Sequence, residues 1–486
     1  MPTATPTLLW YDFETTGADP SRDRPQQFAA IRTNLELAPI AEPAVLTCAL
    51  AGDVLPHPEA SLLTGIVPQD TTRDGLIEAE FAEAVNALLV EPGTCSVGYN
   101  SIRFDDNINR YLFYRNFFDP YEHAWKNGNS RWDILDLARA FHALRPDGIE
   151  WPNREDGMPS FRLPDLAAAN GIEHDHAHDA LSDVRATIAF ARLLRERQPR
   201  LYDWHFALRD KKRVAQVLGP ALAAQQPLLH VSGRYPAERG CLAMVVPITE
   251  HPLRSETLIV ADLGVDPDEW TGLDAEELDE RLYTAREDLP DGVERPPLKE
   301  IHGNRSPFIA PVETLRGVDL HRIGLTPDRC LANLGRIRTR DGLAERVRRA
   351  FAAAASRQVS RADPELKLYD GFPSEADRRR IGKVRSTPPA RLGHTQFGFD
   401  DSRYPELLFR YRARNWPATL DAGERRRWRA FVRDKLTRDT ETTTLTLERY
   451  SEEIARLRAA TPPGPRQALL DRLEAWGERI RGEIGD

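Results

Sequence analysis

The stretch TLLWYDFET near the start of the chain is apolar except for two carboxylates that stand one residue apart. Its β-branched and aromatic residues predict a strand over residues 7–14. Side chains alternate between the faces of a strand, so Asp12 and Glu14 point to one side while Tyr11 and Phe13 point to the other. Two bare carboxylates about 4 Å apart repel each other by about 4 kcal/mol at an effective dielectric constant of 20. A cation beside this strand, either a metal ion or a basic side chain, would remove that repulsion.

Two further motifs supply candidate partners for this pair. In EHDHAHDALSD, His178 and Asp183 are five residues apart, which is about 140° on a continuous helix. They converge only if His178 lies in the loop before a helix and Asp183 in its first turns. Asp179 is suited to cap this helix. In GYNSIRFDDNINR, a polar turn follows a short strand, and Asp105 stands where the next helix is expected to begin.

The histidines allow a second interpretation of the same segment. His174, His176 and His178 stand at alternate positions and could form a zinc cluster. No cysteine and no further histidine cluster completes such a site, whereas carboxylates are abundant around it. Oxygen ligands alone favour Mg²⁺ or Mn²⁺ over zinc. A solvated histidine loop with a surface aspartate is the third interpretation.

In chain order the motifs read D-x-E on the first strand, N-x-x-x-F-D in the middle and H-x-x-x-x-D on the last helix of the region. This order resembles the DEDD exonuclease superfamily in its histidine branch. The resemblance implies four metal-binding acids and a histidine as the general base. Two divalent cations can stabilise both the attacking and the leaving oxygen of a phosphodiester displacement, and an imidazole can take the proton of the attacking water. The residues that match the motif are Asp12, Glu14, Asp105 and Asp183 as metal ligands and His178 as the base.

Longer stretches resemble one family in particular. YNSIRFDD, FYRNFFDPY, SFRLPDLAAANGI and LLFRYRARNWPATLD are similar to bacterial exodeoxyribonuclease I, and the likeness extends over nearly the whole chain. The family implies an α/β, RNase H-like exonuclease domain over 1–199, a small β-rich SH3-like domain over 200–355 and an α-helical C-terminal domain over 356–486. It also implies Mg²⁺-dependent 3′→5′ hydrolysis of single-stranded DNA to 5′-mononucleotides, in DNA repair and recombination.

Composition and pattern agree with three soluble domains. A chain of 486 residues is too long for a single core. Short apolar runs broken by Gly and Pro over residues 227–262 indicate a β-rich module, and amphipathic patterns over 421–436, 444–459 and 466–484 predict helices. Four scattered cysteines without C-x-x-C spacing favour a reducing cytoplasm, and no apolar run approaches the ~18 residues of a membrane span. We expect a monomer without a membrane partner.

Candidate contacts to the DNA come from the turn after the first strand and from an arginine cluster far downstream. Thr15 and Thr16 can offer hydroxyl and backbone groups to the 3′-terminal nucleotide. In FRYRARNW, arginines alternate with aromatic rings, and we expect the arginines to neutralise phosphates while the rings belong mainly to a helix core. The further contacts expected from motif match and composition are Phe104, Arg162, Lys299, Arg410, Arg412 and Arg414.

The family also binds the acidic C-terminal tail of single-stranded DNA-binding protein. By motif match, the residues expected at that contact are Arg145, Trp204, Arg316 and Arg338. Trp204 stands where the family pattern has a tyrosine, so the hydrogen bond of that position is in question. Ordinary surface arginines are the alternative interpretation of this set.

Two other functions compete with the DNA exonuclease. A DEDDh-type 3′→5′ exoribonuclease would carry the same acids, but such enzymes are typically short and the downstream regions would have no counterpart. A nucleic-acid-binding scaffold without a metal would have no need of the four acids and the histidine. The net charge of −9 is not typical of nucleic-acid-binding proteins, although acids crowd into segments such as residues 266–280 while arginines cluster elsewhere.

Overall fold

The computed structural model describes residues 5–174, 178–357 and 361–485, without the side chains of residues 355 and 356. The strands in chain order are β1 (Thr7–Thr15), β2 (Pro25–Thr33), β3 (Ala44–Thr47), β4 (Thr94–Gly98), β5 (Ser130–Asp133), β6 (Leu228–Val231), β7 (Leu242–Glu250), β8 (Thr257–Asp262), β9 (Leu298–His302) and β10 (Ile309–Pro311). The helices are α1 (Pro58–Thr64), α2 (Pro68–Asp74), α3 (Glu78–Leu89), α4 (Asp105–Arg115), α5 (Ile134–Leu144), α6 (Leu163–Ala169), α7 (Ala180–Arg197), α8 (Pro199–Ala207), α9 (Lys211–Ala223), α10 (Ala275–Tyr283), α11 (Pro327–Arg338), α12 (Leu343–Ser356), α13 (Glu375–Ser386), α14 (Pro389–Leu392), α15 (Arg403–Asn415), α16 (Ala422–Thr437), α17 (Leu447–Ala460) and α18 (Pro465–Gly485).

The chain divides into two compact units, of which the first comprises residues 1–130, 174–185 and 360–486. Its sheet has the strand order β3-β2-β1-β4, with β1 antiparallel to β2 and parallel to β4. One face of β1 packs on α3 and α4, because Tyr11 and Phe13 lie in a core with Phe28, Phe81 and Leu112. The strand alternation therefore leaves Asp12 and Glu14 on the opposite face, as predicted.

The C-terminal helices belong to this same first unit. Helices α16, α17 and α18 pack around Tyr450 and Trp476, and residues before and after α1 join their core. Asp421 caps α16 and forms a reciprocal capping box with Glu424, while Thr446 caps α17. The helices predicted over 421–436, 444–459 and 466–484 are confirmed to within three residues at their ends.

The second unit comprises residues 131–173 and 186–359. Its sheet has the order β10-β6-β7-β8-β9 with all pairs antiparallel, which confirms the predicted β-rich module. Helix α9 covers one face of the sheet, where Val214 and Leu218 pack with Val245 and Val260. The predicted domain boundaries at residues 199 and 355 stay predictions, since each unit is assembled from separate stretches of chain.

The helices differ widely in length, from four residues in α14 to 21 in α18. Among the residues that the structure describes, no helix combines the length and apolar composition that a bilayer crossing requires.

Candidate active site

Three carboxylates come together where β1 ends. Asp12 and Glu14 lie on the face of β1 opposite the α3–α4 core, and Asp183 comes from the first turn of α7. One oxygen from each of the three lies within 4.8 Å of the other two. The predicted convergence of the first and last motifs is thus observed.

The fourth predicted acid reaches the same strand from α4. Asp105 is the first residue of that helix, is buried, and accepts a hydrogen bond of 3.1 Å from the backbone N–H of Phe13. Its neighbour Asp106 is turned the other way, because its carboxylate accepts a 2.7 Å hydrogen bond from the Tyr11 hydroxyl on the core face. The two adjacent acids therefore divide between the site and the core.

The crowding of these acids changes their protonation. Burial raises the pKa of Asp12 well above its usual value, and the nearby charges of Asp105, Glu14 and Asp183 raise it further. Burial and the nearby charges of Asp183, Asp105 and Asp179 raise the pKa of Glu14 to about 9. Carboxylates in this arrangement lower their free energy either by holding protons or by binding a cation.

The orientation of Asp183 is set from two sides. Asp179 caps α7 as predicted, since its side chain accepts a 3.0 Å hydrogen bond from the Ser182 N–H. The buried ring of His174 donates from Nε2 to Asp183 Oδ1. From the sequence His174 is expected only as a zinc ligand of the alternative cluster, and the D-x-E and H-x-x-x-x-D patterns carry no signal for this contact.

His178 occupies the turn before α7 and lines the same cleft as the acids. Its backbone adopts a left-handed conformation, with φ of 67°, which is uncommon for a residue other than glycine. His176 of the alternative zinc cluster lies outside the described residues. Among the residues that are described, the group of close metal-ligand atoms consists of carboxylates alone, so the zinc interpretation gains no support from His174 and His178.

The cleft around the acids has a volume of about 940 Å³. Thr15 and Phe104 line it, and the Thr15 hydroxyl donates to the Gly17 carbonyl at 2.7 Å; their contact with the nucleotide stays a prediction. Thr16 is fully buried, and its hydroxyl donates to Asp23 at 3.0 Å and accepts from the Arg24 N–H. The predicted contact of the Thr16 hydroxyl with the terminal nucleotide is therefore wrong, because this group stabilises the turn after β1.

Several cleft residues have no counterpart in the predicted set, among them Asp23, His57 and Glu453. Asp23 is buried, burial raises its pKa, and His57 Nε2 lies 4.0 Å from its Oδ1. Glu453 reaches the cleft from α17, more than 400 positions after β1. No local pattern in the sequence predicts that a residue so distant in the chain lines the cleft.

The arginines of FRYRARNW lie inside the first unit rather than in this cleft. Their guanidinium groups are buried in α15 and paired with carboxylates: Arg410 with Asp363 at 2.8 Å, Arg412 with Glu424 at 2.7 Å, and Arg414 with Asp53 at 2.8 Å. Buried guanidinium groups with carboxylate partners are not available to phosphates, so the predicted DNA contact of these three arginines is wrong. The expectation that the rings form a helix core is met by Phe409 and Tyr411, which are both buried.

The remaining predicted contacts lie in the second unit and stay predictions. Arg162 occupies the position before α6, and Lys299 Nζ lies 4.3 Å from the Tyr235 ring centroid. Arg145 donates to the Thr314 carbonyl at 3.0 Å and to the Arg316 carbonyl at 3.5 Å, so these two predicted partner-binding residues are neighbours.

The other two predicted partner-binding residues are also held by backbone carbonyls. Trp204 donates from its indole N–H to the Ile309 carbonyl at 2.8 Å. Arg338 is exposed and donates to the Gln225 carbonyl at 2.7 Å.

Comparison with protein families covers nearly the whole chain. The matching family models are described as Exonuclease over residues 9–191, Exonuclease I SH3-like domain over 209–353 and Exonuclease I C-terminal domain over 362–480. Their order confirms the predicted fold class, an α/β exonuclease domain followed by an SH3-like and a helical C-terminal domain.

Individual relatives agree with these matches. Exodeoxyribonuclease I of Escherichia coli is 44% identical, and the alignment covers 98% of both chains. Exonuclease I from Methylocaldum szegediense has a structure with a TM-score of 0.93 and 48% identity, covering 98% of this chain and 99% of that one. E. coli Exonuclease I in complex with a dA16 oligonucleotide gives a TM-score of 0.91 at 43% identity, covering 98% of this chain and 100% of that one.

Two more matches bear on partner and substrate. A structure of SSB and Exonuclease I in complex with the inhibitor CFAM has a TM-score of 0.89 and 41% identity, covering 98% of this chain and 100% of that one. Oligoribonuclease of Hahella chejuensis is 26% identical, and its match covers 97% of that protein but only 40% of this chain.

Proposed function

The chain belongs to the exodeoxyribonuclease I family, and we propose that it hydrolyses single-stranded DNA from the 3′ end to 5′-mononucleotides with Mg²⁺, in DNA repair and recombination. The observation that carries the proposal is the arrival of Asp12, Glu14 and Asp183 at one point, with Asp105 bonded to the same strand. The 3′→5′ direction and the role in repair follow from family membership.

The donor set fits a divalent metal ion. Carboxylate oxygens alone are the ligands that Mg²⁺ and Mn²⁺ prefer, and the raised pKa values of Asp12 and Glu14 reflect a concentration of negative charge that a cation would relieve. Four carboxylates carry about the charge of two divalent cations, and this balance supports two Mg²⁺ per site. The residues that would hold them are Asp12, Glu14, Asp105 and Asp183.

When bound, the metal ions supply positive charge to the attacking and leaving oxygens of the phosphodiester. The residues of the chain supply orientation and proton transfer. His174 and the cap of α7 hold Asp183 in place, so this ligand does not depend on the metal for its position. His178 lines the cleft from the turn before α7 and takes the proton of the attacking water as general base.

Single-stranded DNA is the favoured substrate. A relative that is 43% identical over nearly the full length has been crystallised with a dA16 oligonucleotide. The exoribonuclease alternative is not favoured, because the oligoribonuclease match leaves more than half of this chain without a counterpart. Thr15 and Phe104 stand in the cleft beside the acids and would contact the terminal nucleotide.

The C-terminal tail of single-stranded DNA-binding protein is the proposed protein partner. The structure of SSB with Exonuclease I supports this partner for the family. An acidic tail would meet the exposed side chains of Arg316 and Arg338. We also infer a cytoplasmic monomer, and the four free and buried cysteines suit a reducing compartment.

The crowded acids predict that metal binding depends on pH. Below a pKa of about 9 Glu14 tends to hold a proton, and Asp12 has its pKa raised as well, so a metal ion must displace protons to bind. We expect the affinity for Mn²⁺ to fall as the pH is lowered from 8 to 6, by up to about tenfold per pH unit for each proton displaced. Isothermal titration calorimetry in two buffers of different ionisation enthalpy would measure the affinity and the proton release together. Glu14→Gln should show a shallower dependence, and a flat profile in the unmodified protein would contradict the prediction.

The proposed activity is tested with single strands that carry a label at the 5′ end. Purified protein is incubated with DNA or RNA of the same sequence, in Mg²⁺ or in EDTA. We expect the labelled DNA to shorten stepwise from its 3′ end in Mg²⁺ only, and a 3′-phosphate to block the reaction. Equal digestion of RNA would assign the chain to the exoribonuclease alternative, and digestion in EDTA would exclude the metal site as the catalytic centre.

A further inference from the structure

A second and smaller pocket lies in the same unit as the acids, with a volume of about 180 Å³. It is enclosed by the C-terminal end of α4, the segment after it, the segment before α13, and helices α13 and α15. Aromatic rings form part of its wall; those that matter here are Tyr114, Phe118, Tyr121, Phe372 and Tyr404.

The size and the wall of the pocket restrict what it can hold. Sites that bury a drug-sized ligand measure about 300–1,000 Å³, so this pocket admits one ring system rather than a folded peptide segment. Phe372 stands at its mouth with 74% of its surface exposed, and the Phe372 and Tyr121 ring centroids are 5.5 Å apart. An exposed ring at the mouth of an aromatic cavity is suited to stack on a planar ligand.

The charge around the pocket favours an anion. Arg378 and Arg385 line it at exposed positions, and neither forms an ion pair with a carboxylate of the described residues. The Arg385 guanidinium lies 4.3 Å from the Phe118 ring centroid. Two acids lie at the wall. Asp119 already accepts hydrogen bonds from the backbone N–H groups of Tyr121 and Glu122, and the Glu122 carboxylate pairs with Lys126. The pocket is therefore suited to a ligand that combines a planar aromatic ring with a negative charge. A nucleotide has both features.

Helix α4 connects this pocket with the metal-binding acids. Asp105 begins the helix, and Tyr114 at its other end lines the pocket. The two residues are nine positions apart, which is a rise of about 14 Å along the helix, or about two to four nucleotides of a single strand depending on its extension. Between the two ends Tyr369 lies on the helix with half of its surface exposed, and its hydroxyl donates to Asn107 at 2.9 Å.

We propose that this pocket binds one base of the single-stranded substrate, about two to four nucleotides upstream of the 3′ end. The base stacks on Phe372 and Tyr121, and the flanking phosphates meet Arg378 and Arg385. This inference rests on the proposed function, because it takes the strand to enter the cleft with its 3′ end at the acids. In this proposal the aromatic surface beside α4 contributes to DNA binding, whereas the buried arginines of α15 do not.

The test uses the full-length protein in EDTA and a series of ten-nucleotide strands, each with 2-aminopurine at one position from the 3′ end. We expect one position in the proposed range to be quenched most strongly on binding. Phe372→Ala should abolish that quenching and weaken binding by about 5- to 150-fold, as removal of one base–aromatic stack implies. Arg378→Gln with Arg385→Gln should reduce the salt dependence of log K by about 0.7 for each phosphate that is no longer neutralised. Tyr283→Ala, which removes a half-exposed ring of the second unit, is the matched control.

A second readout separates this site from the catalytic one. In Mg²⁺, Phe372→Ala should raise KM for the ten-nucleotide strand while kcat for a dinucleotide, which is too short to reach the pocket, stays unchanged. Quenching that is equal at all positions, or a Phe372→Ala variant that binds like Tyr283→Ala, would overturn the inference even if DNA is hydrolysed normally. Protection of the pocket by an acidic peptide but not by DNA would overturn it as well. Failure of the unmodified protein to hydrolyse DNA in Mg²⁺ would instead reject the proposed function.

Discussion

Asp183→Asn is expected to reduce the rate of DNA hydrolysis by about a thousandfold or more while single-stranded DNA is still bound in EDTA. The substitution keeps the size of the side chain and an oxygen that can accept the hydrogen bond from His174. It removes one negative charge from the group that Asp183 forms with Asp12 and Glu14. Metal ions contribute several kcal/mol of charge stabilisation in such sites, and each ~1.4 kcal/mol corresponds to a tenfold change in rate.

The measurement combines single-turnover hydrolysis with a binding assay on the same preparations. Asp328→Asn is the matched control, since Asp328 also lies in the first turn of a helix but is exposed. It should change the rate by less than about fivefold, because removal of a favourable helix-dipole interaction costs only about 0.3–1 kcal/mol. Turnover of Asp183→Asn at the rate of the control would mean that the acids do not form the catalytic centre. Loss of DNA binding together with activity would indicate a folding defect, which circular dichroism would detect.

The catalytic acids could be predicted from sequence because each depends on local geometry. Strand alternation alone places Asp12 and Glu14 on one face, and an N-cap at Asp179 places Asp183 in the first turn of α7. The choice between Asp105 and its neighbour Asp106 required the family motif, and the hydrogen bond from Tyr11 to Asp106 supplies its physical reason.

The errors arose where the partner of a residue lies outside the motif that suggested its role. The sequence places Thr16 in a turn, where its hydroxyl could contact the substrate. In the structure this hydroxyl is already hydrogen-bonded to Asp23 and to the backbone N–H of Arg24. The arginines of α15 look like a phosphate-binding cluster, yet Arg414 pairs with Asp53, which is 361 positions away. A run of arginines does not reveal whether it faces solvent or a buried carboxylate from another element. Composition can identify such a cluster but cannot assign its partners.

The buried arginines of α15 contribute to the stability of the protein rather than to DNA binding. The Arg414 side chain is 3% exposed and its partner Asp53 is fully buried. Arg414 also pairs with Glu365 at 2.6 Å, and Lys435 lies 3.0 Å from Asp53. Through Arg24, which binds Glu365 at 3.0 Å and donates its backbone N–H to Thr16, the network reaches the turn after β1. The C-terminal helices thus hold the end of the strand that carries Asp12 and Glu14.

Burial alone would raise the pKa of Asp53, but Arg414 and Lys435 hold it well below its usual value. Arg414 and Arg24 likewise hold the pKa of the buried Glu365 carboxyl group well below its usual range. A carboxyl group with a depressed pKa in the folded state contributes stability that is present above its unfolded pKa. That contribution is lost as the pH falls from there towards the folded pKa. The network should therefore stabilise the protein fully at neutral pH and progressively less below about pH 4.

Arg414→Met is accordingly expected to lower the free energy of unfolding by about 3–5 kcal/mol at pH 7, because it leaves Asp53 and Glu365 buried with fewer positive partners. Urea denaturation followed by circular dichroism measures this loss. Arg456→Met is the matched control, since Arg456 pairs with Glu59 in the same unit but both side chains are more than 60% exposed. An exposed pair contributes about 0–1 kcal/mol, so the control should remain close to the unmodified protein. The stability of the variant should also fall less at acid pH, because the pKa values of Asp53 and Glu365 are less depressed when fewer cations lie beside them. Equal stability of the two variants would mean that the buried network does not fasten the C-terminal helices to the catalytic strand.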